Sequence, residues 1–268
     1  MHVKLLDRTV ILLLNLCLLF SAILIPALTF AQSPTYFHRA FERIGIYEKV
    51  EEDGQAYRTV IGYINGDKES YALFSDEQLD IIAGHITAYL RGERKSFALY
   101  MDNVYLNDGY ADGVRIFGDE AIAHMEDVRS LVKTAGIFAA ILTCLLPFLF
   151  LYAVVRRRRL GHLMLRYTLY FYAALLLFAL LFVLLTLLLD GGRLGFIRAL
   201  WQNLHHLFFP FRPEKVQASF FNDALTYILH IDFFMGAVHS ILGILAAVLS
   251  LFLLFAALLW RSAKHAAK

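Results

Sequence analysis

The sequence is poor in the residues that carry the commonest protein chemistries. It has two cysteines, Cys17 and Cys144, and both fall inside long apolar runs, so neither a disulfide nor a cysteine metal site is expected; both are assigned to packing. Charge is equally scarce, at 18% of residues, and a net charge of +2 leaves no basic excess to attract nucleic acid. No HExxH or paired-cysteine spacing occurs, so no metal is expected. The absence of GxSxG, of a P-loop and of a dinucleotide fingerprint removes the usual hydrolase, ATPase and dehydrogenase readings. What fills the chain instead is apolar: 59% of its 268 residues are hydrophobic and the mean hydropathy is +0.58, values expected of a multi-span membrane protein.

Four stretches are long and apolar enough for a membrane helix, which takes about 20 residues; they lie near 9–31, 132–155, 165–189 and 233–260. Lys4 and Arg8 precede the first, Arg156 to Arg159 and Arg166 fill the link between the second and third, and Arg261, Lys264 and Lys268 follow the fourth. The positive-inside rule then puts both termini and the arginine run in the cytoplasm. The expected fold is mainly α: a four-transmembrane-helix bundle with a small α+β extracytoplasmic domain between the first and second helices. Its parts are 1–31, the first span; 32–131, the outer domain; and 132–268, a three-helix membrane region with an outer interfacial segment at 190–232. A cleaved signal peptide is the alternative for the first span, because Thr29 and Ala31 precede Gln32 at small-residue positions.

Tyr36 to Tyr47 mixes aromatic residues with Arg39, Glu42 and Arg43, as expected for a segment along the membrane interface or for the start of the outer domain. Tyr63 to Leu73 and Tyr89 to Leu99 match in character, each later followed by Phe-x-Asp-Glu at Phe74 and Phe117, which suggests an internal repeat over about 59–84 and 85–130. The repeat reads as a helix ending at glycine, a short strand, then a second helix. For the first copy a hairpin turned at Asn65-Gly66 competes, because Thr59, Val60 and Ile61 are β-branched. Ser75 to Gln78 is a capping box, and Leu79, Ile82, Ala83, Ile86 and Leu90 then recur at helical spacing, so a helix is expected over 76–91. Residues 100–116 suit a hairpin or surface loop, and a further helix starting near Gly118 runs through His124 into the second span. The repeat aligns His124 with Ile81, a position expected to pack.

After the third span, whose Tyr167, Tyr170 and Tyr172 form an aromatic belt, residues 194–211 suit a helix half sunk in the outer leaflet and broken at Pro210 and Pro213. Leu225 to Leu229 is expected to re-enter the bilayer. This topology sets His124 and the pair His205/His206 on the same outer surface. Two facing histidines serve as base and acid at neutral pH. Glu120 and Asp127 are candidates to orient His124, and Asn222 and Asp223 to support the second histidine; Arg198, Arg212, Phe208 and Phe209 are candidates for contact with substrate or lipid. The competing reading is a non-catalytic membrane protein whose outer domain binds a partner or envelope component, with its histidines among headgroups. The near absence of charge within the spans disfavours a transporter.

The chain also resembles a family. The order of one span, a small domain ending in His124-Met125-Glu126-Asp127-Val128, an arginine-rich link, a third span, then histidine with two Phe-Phe pairs is similar to that of the bacterial lipoprotein intramolecular transacylases. Their H-x-x-F-F segment is matched by His205-His206-Leu207-Phe208-Phe209, and their D-P-L-I-x-I-L-P-x-x-F-F by Asp223 to Phe234. Ala224 and His230 replace the two prolines of that pattern, and no tryptophan stands between the motifs. The spacing to Phe208 favours His205, with His206 remaining open. The resemblance implies transfer of an acyl chain from the glyceryl ester of a diacylated lipoprotein to the α-amine of the same cysteine, with membrane lipids as surroundings and no cofactor. The oligomeric state is left open.

Overall fold

The structure is a computed structural model that describes residues 2–44, 49–52, 55–63, 69–106, 109–190, 224–229 and 231–265. Two compact units form, one within Met1–Pro26, Ala135–Leu207 and Ile241–Lys268, the other within Ala27–Thr134 and Phe208–Ser240. Helices α1 (His2–Ala31), α4 (Asp119–Val155), α5 (Arg157–Asp190) and α7 (Ile231–His265) supply four segments long and apolar enough to cross a membrane.

In the helical unit, Ile11, Leu14, Cys17 and Leu18 of α1 pack with Leu142, Leu149 and Ala153 of α4, Leu160 and Met164 of α5, and Phe252, Ala256 and Leu259 of α7. Of the most apolar window of α1, 44% is buried, against 22%, 6% and 11% for α4, α5 and α7. The first span is therefore the central element of the bundle. Cys17 is buried among these residues, whereas Cys144 is exposed and corrects the expectation that both cysteines pack. Helices α4 and α5 meet at Arg156, so Arg157 to Arg159 open α5 rather than forming a link.

The other unit is α+β. Helix α2 (Pro34–Ile44) follows α1 closely, with Ser33 accepting the Tyr36 amide on its hydroxyl. Phe37, Ala40 and Phe41 recur every three or four residues and are buried, so α2 belongs to this core. Strands β1 (Lys49–Glu52), β2 (Gln55–Tyr63), β3 (Glu69–Phe74), β5 (Val104–Leu106) and β6 (Gly109–Ala111) form an antiparallel sheet in the order β1-β2-β3-β5-β6. Strands β4 (Tyr100–Met101) and β7 (Val114–Arg115) pair separately. The turns beside that pair are tied crosswise: Asp112 accepts the Asn103 amide and Asp102 the Gly113 amide, both at 2.8 Å, with Asn103 and Gly113 at positive φ.

Helix α3 (Asp76–Arg91) has the capping box its sequence specifies, Ser75 and Gln78 bonding each other's backbone, and ends at Gly92 with φ 86°. The two Phe-x-Asp-Glu segments behave alike: Phe74 and Phe117 are fully buried and each immediately precedes a helix. The preceding halves differ. Tyr89 lies in α3, whereas Tyr63 ends β2 and pairs with Glu69 of the antiparallel β3; the turn expected at Asn65-Gly66 lies outside the described residues. β-Branched residues favour a strand where a hairpin partner is available. Ile81, aligned with His124, is 49% exposed and does not pack; Leu79 and Ile82 beside it take the inward positions.

Candidate active site

His124 is carried on the first turns of α4. The entry is fixed by Phe117, which stacks on Phe97 at 4.6 Å, and by an Arg115–Asp119 ion pair. Asp119 and Glu120 suit the positive end of the helix dipole. Ala121 and Met125 point into the core, with Val128 and Val132 packed against it further along. His124 therefore lies at the edge of the buried stripe and is half-buried, as is Glu120 one turn before it; Asp127 is exposed.

His205, His206, Phe208, Phe209, Arg198, Arg212, Asn222 and Asp223 lie outside the described residues, as does the helix expected over 194–211. The chain is described again from α6 (Ala224–Ile228). Ala224, Leu225 and Ile228 are buried in the same core as Met125 and Phe37, and α6 contacts β2. This corrects the expected re-entry of 225–229 into the bilayer: an apolar pentapeptide buries equally well against a sheet. Phe233, in the second Phe-Phe pair, is held between α2 side chains. Its carbonyl accepts the Tyr36 hydroxyl at 2.9 Å, and its ring lies 4.7 Å from Phe37 and 5.4 Å from Tyr36. The end of the second motif and the helix bearing His124 thus share one hydrophobic core.

Two further histidines in this unit escaped the sequence reading. His38 lies between carboxylates, Nδ1 at 2.8 Å from Asp80 and Nε2 at 3.3 Å from Glu42, beside an open cleft of about 420 Å³ lined by Pro34, Thr35, His38, Arg39, Asp80 and Ala83. The hydrogen bond to Asp80 is the main reason its pKa is raised, and that bond joins α2 to α3. The spacing of His38 and Glu42 on an amphipathic helix is the signal that could have found the shorter-range half of this arrangement. His85 is buried and donates from Nε2 to the Phe97 carbonyl at 2.9 Å; burial lowers its pKa. Arg91 also braces the fold, donating to the Gln32 carbonyl at 2.8 Å and pairing with Glu93 at 2.6 Å. The Glu93 carboxyl is held below its usual range by that hydrogen bond.

Residues 50–234 match the family described as Lipoprotein intramolecular transacylase Lit. The chain belongs to this family. A member of the Lit family is an acyltransferase, and the four apolar helices agree with an integral membrane protein. Two solved structures share the fold, both of the membrane integral lipoprotein intramolecular transacylase Lit from Bacillus cereus. One, with a histidine-to-arginine mutation, aligns over 100% of this chain and 97% of its own at a TM-score of 0.61 and 12% identity. The other aligns over 98% and 99%, also at 0.61 and 12%. No curated protein matches the sequence.

Proposed function

We propose that the protein moves an acyl chain within the amino-terminal cysteine of a diacylated lipoprotein, from the glyceryl ester to the α-amine, using His124 with His205 or His206. The observation that carries this reading is that the matched span, 50–234, contains both histidine-bearing stretches. The α-ammonium has a reference pKa near 8 and must lose a proton before it attacks. One histidine takes that proton. The nitrogen adds to the ester carbonyl carbon and gives up its second proton to the other histidine, which passes it to the departing glyceryl oxygen as the carbon–oxygen bond to glycerol breaks. The products are an N-acyl, S-monoacylglyceryl cysteine.

Glu120 is the stronger candidate to orient His124, since it shares the half-buried flank of α4 while Asp127 faces outward. Nucleophile and ester already belong to one molecule, so holding them folded together contributes up to roughly 7–11 kcal/mol in favourable cases. A covalent acyl-histidine is the second-ranked route. The outward orientation of the site is supported by the Asp7–Arg159 pair, which gathers the start of α1 and the arginine run at one end; by the positive-inside rule that end is cytoplasmic.

His124→Ala is expected to lower transfer about 10²–10⁴-fold, the usual weight of general acid–base catalysis, with insertion into the membrane unchanged. Mass spectrometry of the lipoprotein's amino-terminal peptide reads the product. Unaltered N-acylation in both His124→Ala and the double variant His205→Ala/His206→Ala would overturn the pair.

A further inference from the structure

The cytoplasm-assigned end of the helical unit is charged unequally. Asp7 is 1% exposed, and its carboxylate takes Arg159 at 2.9 Å and the Tyr152 hydroxyl at 3.2 Å. It is the one acidic residue in the described part of α1, in the last turns of α4 and α7 and in the first turns of α5. Other cations at this end are satisfied by rings or a phenol. Arg8 lies 5.7 Å from the Tyr167 centroid and Arg156 5.9 Å from that of Tyr152, Lys264 lies 5.7 Å from that of Trp260, and Arg166 donates to the Tyr170 hydroxyl at 2.8 Å.

Arg157, Arg158 and Arg261 are different: all three are exposed, and none has a carboxylate, ring or carbonyl partner among the described residues. Helices α5 and α7 cross tightly beside them. A Cβ on Gly161 would lie 2.8 Å from the Leu259 carbonyl oxygen, and Trp260 donates to His162 Nδ1 at 2.7 Å. Arg158 is one turn before His162 on its helix and Arg261 follows Trp260, so both flank the crossing. Arg157 and Arg158 also open α5, where the helix dipole favours acidic residues and the first turn has none. The unit's own Asp7 is already occupied, so an anion relieving this charge comes from outside. Tyr167, Tyr170 and Trp260 mark headgroup depth, and the guanidinium fork matches a phosphate.

We propose that Arg157, Arg158 and Arg261 bind the phosphate headgroups of anionic phospholipids, while Arg159 is withheld from lipid by Asp7. This is independent of the acyl-transfer reading. The full chain in phosphatidylcholine nanodiscs is compared with the same chain in discs containing equal parts of phosphatidylglycerol. The thermal midpoint is expected to rise by about 3–5 °C with phosphatidylglycerol, less so as salt is added. Arg157→Gln/Arg158→Gln/Arg261→Gln should lose most of that rise and bind fewer phosphatidylglycerol molecules by native mass spectrometry. Arg159→Gln should lower the midpoint in both discs and keep the rise. Equal midpoints in the two discs would overturn the proposal, as would a triple variant that keeps the full rise and lipid count. Inorganic phosphate reproducing the rise in phosphatidylcholine discs would overturn the lipid as its source.

Discussion

Helices α1 and α5 are equally apolar and are used in opposite ways. Their best windows have hydropathies of 2.6 and 2.5, yet 44% of the first is buried and 6% of the second. In lipid an apolar side chain gains little by leaving hydrocarbon for other apolar side chains, so hydropathy does not choose which helix goes inside; close fit and polar contacts do. Asp7, Ile11, Leu14, Asn15, Leu18 and Ala22 make a stripe at helical spacing along α1, all buried. Asn15 reaches Thr168 of α5 at 3.3 Å. Helix α5 answers with Leu160, Met164 and Thr168 near its start, and Tyr172 donates to the Leu249 carbonyl at 2.8 Å; beyond these it exposes Leu176, Leu177, Phe178, Leu180 and Leu181.

The largest effect that would sharpen this contrast comes from the charged end of the stripe. Arg159→Gln strands the buried Asp7 carboxylate and is expected to destabilise by about 3 kcal/mol, more than Asp7→Asn, because Arg159 itself is 42% exposed and can turn to water. Unfolding in detergent or denaturant measures both; the reverse order would mean that Asp7 is not the desolvated partner. Next, Leu14→Ala should cost about 2–3 kcal/mol and Leu181→Ala well under 1, since one deletes packed atoms and the other an exposed side chain. Equal costs would break the comparison.

The smallest effect sets two histidines of the α+β unit against each other by pH. His85 has a pKa lowered from the usual 6.5, so its unfolded form binds a proton that the folded form refuses, and stability falls as pH drops below about 6.5. His38 acts oppositely. Its pKa is raised, so its contribution is full below 6.5 and is lost as pH rises through the folded value, weakly because it is exposed. His85→Gln should flatten the acid limb of a midpoint-against-pH curve. An unchanged acid limb would assign the proton uptake elsewhere.

Much of the fold was legible because its signals are local. Spans follow from length and hydropathy, and α3 from its capping box, helical spacing and closing glycine. The first half of the suggested repeat misled because Tyr63 to Leu73 matches Tyr89 to Leu99 in residue character, while a strand partner decides the backbone. Leu225 to Ile228 misled for a similar reason: a short apolar run states that it is buried, not against what. At the candidate site, the sequence marked His124 by its helix and its charged neighbours, but it could not show that Glu120 is half-buried and Asp127 exposed. Nor could it show that Tyr36 and Phe37 grip Phe233 across some two hundred residues of chain, or that His38 meets Asp80.

The sequence by itself determined the class of protein, four spans, the capped helix and the motifs that mark the family, because each is written within one or a few turns of backbone. Tertiary structure decided which span is central, which arginine is neutralised and which histidines are already committed to holding the fold together. Those outcomes depend on desolvation and on partners distant in sequence, and burial of Asp7 against Arg159 is set only when α1 meets the start of α5.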